Sequence, residues 1–335
     1  MQAETKTEKL YQALDEGAIL LKSERNIPYL DALGEMGEVL YYPEMADSLS
    51  LDELKKKKLQ NIVEQAPALE NLHKEESRRA VQLAVLKGMK EGTQPHHAMT
   101  PDAVSLFVGY LVEKVLSYES SDKPKVLLDP AVGAGNLLMG VMNQLKKESH
   151  AIGAEADETL LKLAYVNANL QSHNIDLFHQ DSVASPFVQN VDAVISDLPV
   201  GFYPNDDISE KYSLKADEGH SYVHHLLIEQ SMNHVKEGGF LFFIVPNFLF
   251  ESEEAKKLHD YLKSEGYIYS LMQLPKTMFK NDQWGKSILI LRKRKEGVQG
   301  PKQALLAELP SFSNEKSLQD MMKRISDWFD DHLSK

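Results

Sequence analysis

No cysteine occurs anywhere in the 335 residues. That excludes disulfides, thiolate metal ligands and any covalent catalysis by a cysteine nucleophile. Long apolar runs are missing too. None approaches the ~20 residues that a membrane-spanning helix needs, and the opening Met-Gln-Ala-Glu-Thr-Lys lacks the basic-then-apolar pattern of a signal peptide. The expectation is a cytoplasmic protein with no membrane attachment. Basic residues are in deficit, 37 against 50 acidic ones for a formal net charge of −13. Tight autonomous binding to nucleic acid draws on neutralised phosphates, so it would need a local basic patch or a partner subunit. Fixed-period repeats and low-complexity tracts are absent, and Lys55 to Lys58 reads as one solvated helix face. The adjacent His96 and His97 lack third and fourth ligands at usable spacing, so no metal site is expected.

What is present is a large apolar fraction, 42%, in a chain long enough for two units. The organising stretch is Lys125 to Leu138, Lys-Val-Leu-Leu-Asp-Pro-Ala-Val-Gly-Ala-Gly-Asn-Leu-Leu. It reads as a buried parallel strand, a loop carrying Gly133 and Gly135, and the start of an apolar-periodic helix. Glycine suits a loop that a ligand must approach closely, and a helix amino end presents free N–H groups. Glu155 follows ~20 residues later at the end of a second strand, in position to reach a ribose hydroxyl. Leu138 stands where a dinucleotide fingerprint would have its third glycine. Asp129, closing the first strand, would repel a pyrophosphate but attract the cationic amino acid end of S-adenosylmethionine (SAM). The charge balance therefore favours SAM over NAD.

Around that turn the chain reads in order. Residues 1 to 95 are expected to form a helical amino-terminal domain, with Leu10, Leu14, Ala18 and Leu21 at helical spacing, a capping pattern at Ser50-Leu51-Asp52-Glu53, and a helix from His73 to Glu91. Its expected role is packing support. Thr100 as N-cap and Pro101 at the first helical position open a further helix. After the glycine turn come a helix from Asp157 to Leu170 and a weaker third strand from Asp176 to Gln180. Asp181, at its end, could accept from an adenine amino group. Val191 to Ser196 is a fourth strand delivering Asp197-Leu198-Pro199-Val200-Gly201-Phe202-Tyr203 to the carboxyl edge of the sheet, where open α/β folds place their chemistry. A helix ending at Gly238-Gly239 leads into the apolar fifth strand, Phe240 to Pro246. Tyr267 to Leu274 and Lys286 to Leu291 follow as an antiparallel pair, and the segment from Asn314 forms an amphipathic helix expected to pack at home. The fold class is α/β, a Rossmann-like seven-stranded sheet. Its units are 1–95 (helical), 96–296 (catalytic) and 297–335 (carboxyl-terminal extension).

Several stretches in this order carry a resemblance: Ala98-Met99-Thr100-Pro101, Asp129 to Leu138, Gly153-Ala154-Glu155, Asp181-Ser182, Ser196 to Gly201, Lys236 to Gly239, Ile244 to Asn247 and Leu274-Pro275-Lys276. Together they resemble class I SAM-dependent methyltransferases, and more closely the adenine-N6 DNA methyltransferases of the type I modification-subunit branch. The resemblance implies a SAM pocket lined by Thr100, Pro101, Asp129, Ala131, Gly133, Gly135, Asn136, Glu155 and Asp181. It also implies DNA as a partner, through a further subunit if one exists. Carbon-5 methylation of cytosine is closed by the missing cysteine.

The family's catalytic motif is Asn, Asp or Ser, then Pro-Pro, then an aromatic; here it is Asp197-Leu198-Pro199-Val200. On the family's chemistry Asp197 and the Leu198 carbonyl would accept from an exocyclic amine, and Pro199 would shape the loop. With Val200 in the aromatic position, Phe202 or Tyr203 would have to stack on a flipped base. Lys276, Lys280, Lys286 and Arg292 to Lys295 are the few candidates for phosphate contact. Two rivals follow from the altered loop: a non-catalytic SAM-binding regulator, and a methyltransferase acting on RNA, protein or a small molecule.

Overall fold

The computed structural model describes residues 5–91, 99–119, 123–186 and 188–333. His96, His97 and Ala98 lie outside the described residues, as does the boundary drawn at 95. The chain opens on α1 (Lys6–Arg25), whose N-cap Thr5 and Glu8 satisfy each other's backbone N–H groups in a reciprocal capping box. Then follow α2 (Tyr29–Tyr41), the single turn α3 (Met45–Ser48), α4 (Glu53–Gln65) and α5 (Lys74–Glu91). The cap expected at Ser50 is supplied instead by Asp52, which accepts from the Lys55 N–H at 2.8 Å. Helix α4 therefore starts at Glu53, the residue expected to be its third.

The sheet region comprises α6 (Asp102–Leu116), β1 (Lys125–Asp129), α7 (Asn136–Met142), β2 (Ser149–Glu155), α8 (Glu158–Asn169), β3 (Ile175–His179), β4 (Val191–Asp197), the single turn α9 (Asp206–Ser209), α10 (Val223–His234), β5 (Val235–Pro246), α11 (Ala255–Glu265), β6 (Gly266–Gln273), β7 (Lys286–Lys293), β8 (Leu305–Glu308) and α12 (Glu315–Leu333). Strand order is β3-β2-β1-β4-β5-β7-β6-β8. The first five strands run parallel, β7 is antiparallel to both β5 and β6, and β8 returns parallel to β6. Alternation along β4 sends Ala193 and Ile195 to the face covered by α6, α7 and α12, and Val194 to the face covered by α10 and α11. Burial on both faces explains why β4 and β5 read as near-continuous apolar runs. Chain order reverses direction between β1 and β4, so the ends of β1, β2 and β4 converge, bringing Asp129, Glu155 and Asp197 to one edge.

The eighth strand goes beyond the seven expected. Leu305–Glu308 carries no β-branched residue, and its alternation is only four residues long, so nothing local distinguishes it from a helix or loop. Pairing with β6 defines it. Helix α12 packs on its own sheet, with Ile325 and Phe329 fully buried and Lys114 on α6 paired to Asp330 at 2.9 Å. No helix among the described residues is long and apolar enough to cross a membrane.

The stripe Leu10, Leu14, Ala18 and Leu21 is buried and shares one core with Leu160, Leu163 and Val166 of α8. Contact is close where α2 crosses α8: a Cβ on Gly37 would lie 2.2 Å from a Val166 methyl. The helical domain is thus seated directly behind the glycine turn, whose Ala134 joins the same core.

Candidate functional site

A cavity of about 670 Å³ opens at the converging strand ends. The turn contributes Asp129, Ala131, Val132, Gly133, Ala134, Asn136 and Leu137, β2 contributes Glu155, and the end of β4 with the loop after it contributes Asp197 to Val200. Thr100, Met99, Leu160, Pro246, Phe248, Met89 from α5, and Gln283 to Lys286 complete it. Three carboxylates against the ammonium of Lys286 make this a site for a ligand bearing positive charge.

Each carboxylate is held by the chain itself. Asp129 Oδ1 accepts from the Ser196 hydroxyl at 2.7 Å and from the Ala131 N–H at 3.0 Å. Burial, reinforced by the nearby charges of Glu155 and Asp197, still pushes its carboxyl up to about 7. Glu155 bridges strand end to turn: Oε2 accepts from the Gly133 N–H at 2.8 Å, and Oε1 from Ala156 and Asp157 at 2.9 and 3.0 Å. Gly133 has φ of +54° and open space where a Cβ would stand, which leaves its backbone bare toward a ligand. Gly135, at φ +81°, is required by its left-handed backbone at the N-cap of α7, since a Cβ there would make only ordinary contact with Ala164 at 3.4 Å.

Asp197 is the meeting point of the opposite side of the cavity. Thr100 Oγ1 donates to its Oδ2 at 2.8 Å, and Lys286 Nζ donates to its Oδ1 at 2.6 Å. Thr100 therefore does not cap α6 as expected. Pro101 occupies the N-cap position without a side-chain bond, and the threonine hydroxyl goes to the carboxylate instead. Lys286, expected to meet phosphate, is committed to Asp197. Arg292 Nε donates to the Gly238 carbonyl at 3.0 Å, Lys293 to the Val235 carbonyl at 3.0 Å and Arg294 Nε to the Ser264 carbonyl at 2.7 Å. This basic run fastens the far end of β7.

The expected aromatic partners are placed elsewhere. Tyr203 is buried, its hydroxyl donating to Asp181 Oδ2 at 2.6 Å. Asp181 is thereby occupied outside the cavity, also accepting from the Val183 N–H at 2.9 Å. Phe202 is exposed and stacks on Tyr222 with centroids 5.0 Å apart. Among the described residues that line the cavity, the aromatic rings are Phe248, just past β5, and Trp284, just before β7. Neither lies in the loop after β4, so no local motif points to them. Arg78 is likewise outside every motif, and its one local signal is a charge at helical spacing with Val81 and Val85 of α5.

Sequence comparison agrees with this architecture. Residues 88–332 match the model of the family described as N-6 DNA Methylase. The chain belongs to that family. It is a SAM-dependent methyltransferase of the class I fold, and residues 8–89 match a second model, the YtxK N-terminal helical domain. The chain is 49% identical over 322 residues to the uncharacterized protein YtxK of Bacillus subtilis, covering 96% of each. A Listeria monocytogenes crystal structure provisionally assigned as a class I SAM-dependent methyltransferase is 42% identical, superposes with a TM-score of 0.88 and covers 98% of this chain and 100% of its own. A modification subunit assigned to a type I restriction enzyme of Vibrio vulnificus shares the fold alone, at 16% identity, a TM-score of 0.63 and coverage of 80% and 61%.

Proposed function

We propose that this methyltransferase acts on an exocyclic amino nitrogen, with an adenine of DNA as the acceptor. The carrying observation is that Asp197, at the end of β4, shares one cavity with Asp129, Glu155 and Gly133. When bound, SAM supplies an electrophilic methyl group on a sulfonium centre. The residues present suit it: Glu155 stands at the position for a ribose hydroxyl, Asp129 is the buried carboxylate for the cationic amino acid end, and Gly133 leaves room along the backbone.

On the acceptor side, Asp197 and the Leu198 carbonyl accept from the two amine hydrogens, which turns the nitrogen lone pair toward the methyl. Pro199 holds the loop. As the nitrogen gains the methyl it gives up a proton, and the Asp197 carboxylate is the adjacent base. Phe248 and Trp284 take the stacking role first sought in Phe202 and Tyr203, because among the described residues they are the rings that line the cavity with Asp197. Lys286 donates to Asp197 Oδ1 and Thr100 to Oδ2, so an entering amine competes with both for the carboxylate.

The test is transfer of a labelled methyl from SAM to unmethylated DNA, with N6-methyladenine read by mass spectrometry. Absence of label in DNA, with and without a specificity partner, would sink the DNA reading. A second reading, transfer to RNA, protein or a small molecule, draws on the net charge of −13 and on the commitment of Arg292, Lys293 and Arg294 to backbone carbonyls. Parallel reactions with those acceptors separate the two.

A further inference from the structure

We infer that Arg78, supplied by the helical domain, is a positioning residue for the SAM site, so that the domain is a working part of the pocket. The inference rests on the cofactor assignment and extends it to a residue outside the sheet.

Arg78 is fully buried on α5. A guanidinium out of water requires paired charge, and Glu75 and Asp102 provide it. Arg78 Nε donates to Glu75 Oε2 at 2.8 Å, and Nη2 contacts both carboxylates. Arg79 supplies the second cation, 3.6 Å from Glu75 and 3.7 Å from Asp102, and the remaining arm of Arg78 makes a different bond: Nη1 donates to Asn136 Oδ1 at 2.6 Å. Asn136 is the first residue of α7 and lines the cavity.

That bond decides which way the Asn136 amide faces. Guanidinium has donors only, so the amide must turn its oxygen to Arg78 and its nitrogen away. Asn136 Nδ2 then donates to the Thr100 carbonyl at 2.8 Å, and Thr100 Oγ1 in turn holds Asp197. One buried fork therefore fastens three separate segments: α5, the entry to α6, and the glycine turn. The same helix places Met89 in the cavity wall. Lysine could pair with Glu75 and Asp102 but cannot hold this third contact in the fixed geometry of the fork.

The experiment uses the full chain and calorimetric titration with SAM. Wild-type protein, R78K, N136A and the double variant are compared, with thermal unfolding of each. R78K is expected to lose about tenfold in SAM affinity, the scale of one charge-assisted hydrogen bond, while melting close to wild type. Its loss should not add to that of N136A, since both break one link. Wild-type affinity in R78K, or fully additive losses, would overturn the inference. Should R78K fail to fold, hydrogen exchange on wild-type protein decides: SAM should slow exchange across Ser77 to Val85 of α5, and unchanged protection there would overturn it. If wild-type protein itself binds no SAM, the cofactor assignment fails first and this inference falls with it.

Discussion

The two walls of the cavity differ in how they are held. On the cofactor side, Asp129, Asn136 and Thr100 are at most 7% exposed, and each is tied by hydrogen bonds within the chain. On the proposed acceptor side Val200 is 46% and Trp284 65% exposed, and Asp197 is held by the Thr100 hydroxyl and by a partly exposed lysine. One wall is built before its ligand arrives, because leaving buried polar groups unpaired costs free energy. The other presents apolar surface to solvent and is completed only by what enters. A pre-organised cofactor half tolerates little change, whereas an open acceptor half can change partners without endangering the fold.

The sharpest test separates the halves by mutation. Asp197→Ala should cut methyl transfer on the order of 10²–10³-fold, the scale of one group acting on the transition state, and leave SAM affinity in place. A parallel fall in SAM binding, measured by calorimetry, would mean that the walls are not independent.

Next in size is a pH effect confined to the cofactor wall. The Asp129 carboxyl, raised to about 7 by burial, is protonated in the free protein below that pH. A cationic ligand favours the carboxylate, so binding expels a proton, and SAM affinity should rise with pH up to about 7 by at most about tenfold per unit. Asp129→Asn should flatten the profile, and a slope surviving in that variant would assign it elsewhere. Affinity is the right readout because stability mixes opposite signs. Asp129 holds in the folded state a proton that the unfolded chain loses between 3.8 and about 7, so its contribution to stability falls as pH rises. His224 and His225, lowered from 6.5 to about 3 and about 4 by burial, remain neutral while the unfolded chain takes up protons, so theirs falls as pH drops below 6.5.

The same contrast explains what was legible in the sequence. Most of the proposed cofactor wall is local: strand, glycine turn, helix and the following carboxylate lie within thirty-one residues, Lys125 to Glu155, and backbone requirements write themselves into residue type, while Thr100 and Met89 join from outside that stretch. Burial on both faces made β4 and β5 plain. The acceptor wall is assembled from β4, the segment after β5 and the start of β7, so Phe248, Trp284 and Lys286 gain their meaning only when distant segments meet. Thr100 shows the same limit. Local chemistry favoured a helix cap, yet a carboxylate 97 residues away offered the hydroxyl a stronger acceptor. Strand β8 was hidden because tertiary pairing, and not propensity, makes it a strand.

A smaller gain should come from restoring the ring that the acceptor loop lacks. Val200→Tyr places an aromatic at the cavity lip, and stacking on a base is worth ~1–3 kcal/mol. If the acceptor is an adenine, kcat/KM on DNA should rise about fivefold, the low end of that range. A fall would indicate an acceptor without a flat face, or a lip already closed by Phe248 and Trp284.

The smallest effect concerns Lys286, where the comparison is most exposed to failure. Its 2.6 Å contact with Asp197 joins two partly exposed side chains, 25% and 16%, so solvent already screens the pair. Removing the ammonium with Lys286→Met frees Asp197 Oδ1 for the amine, and KM for the acceptor should fall by about twofold to fivefold, the range for displacing a pair worth up to ~1 kcal/mol. SAM affinity should not change, because Lys286 reaches the cavity from β7, on the acceptor side. If kcat instead collapses with KM unchanged, Lys286 assists the transfer itself, steadying Asp197 as the nitrogen loses its proton. The acceptor wall would then be as pre-organised as the cofactor wall, with an ion pair doing for Asp197 what backbone N–H groups do for Glu155.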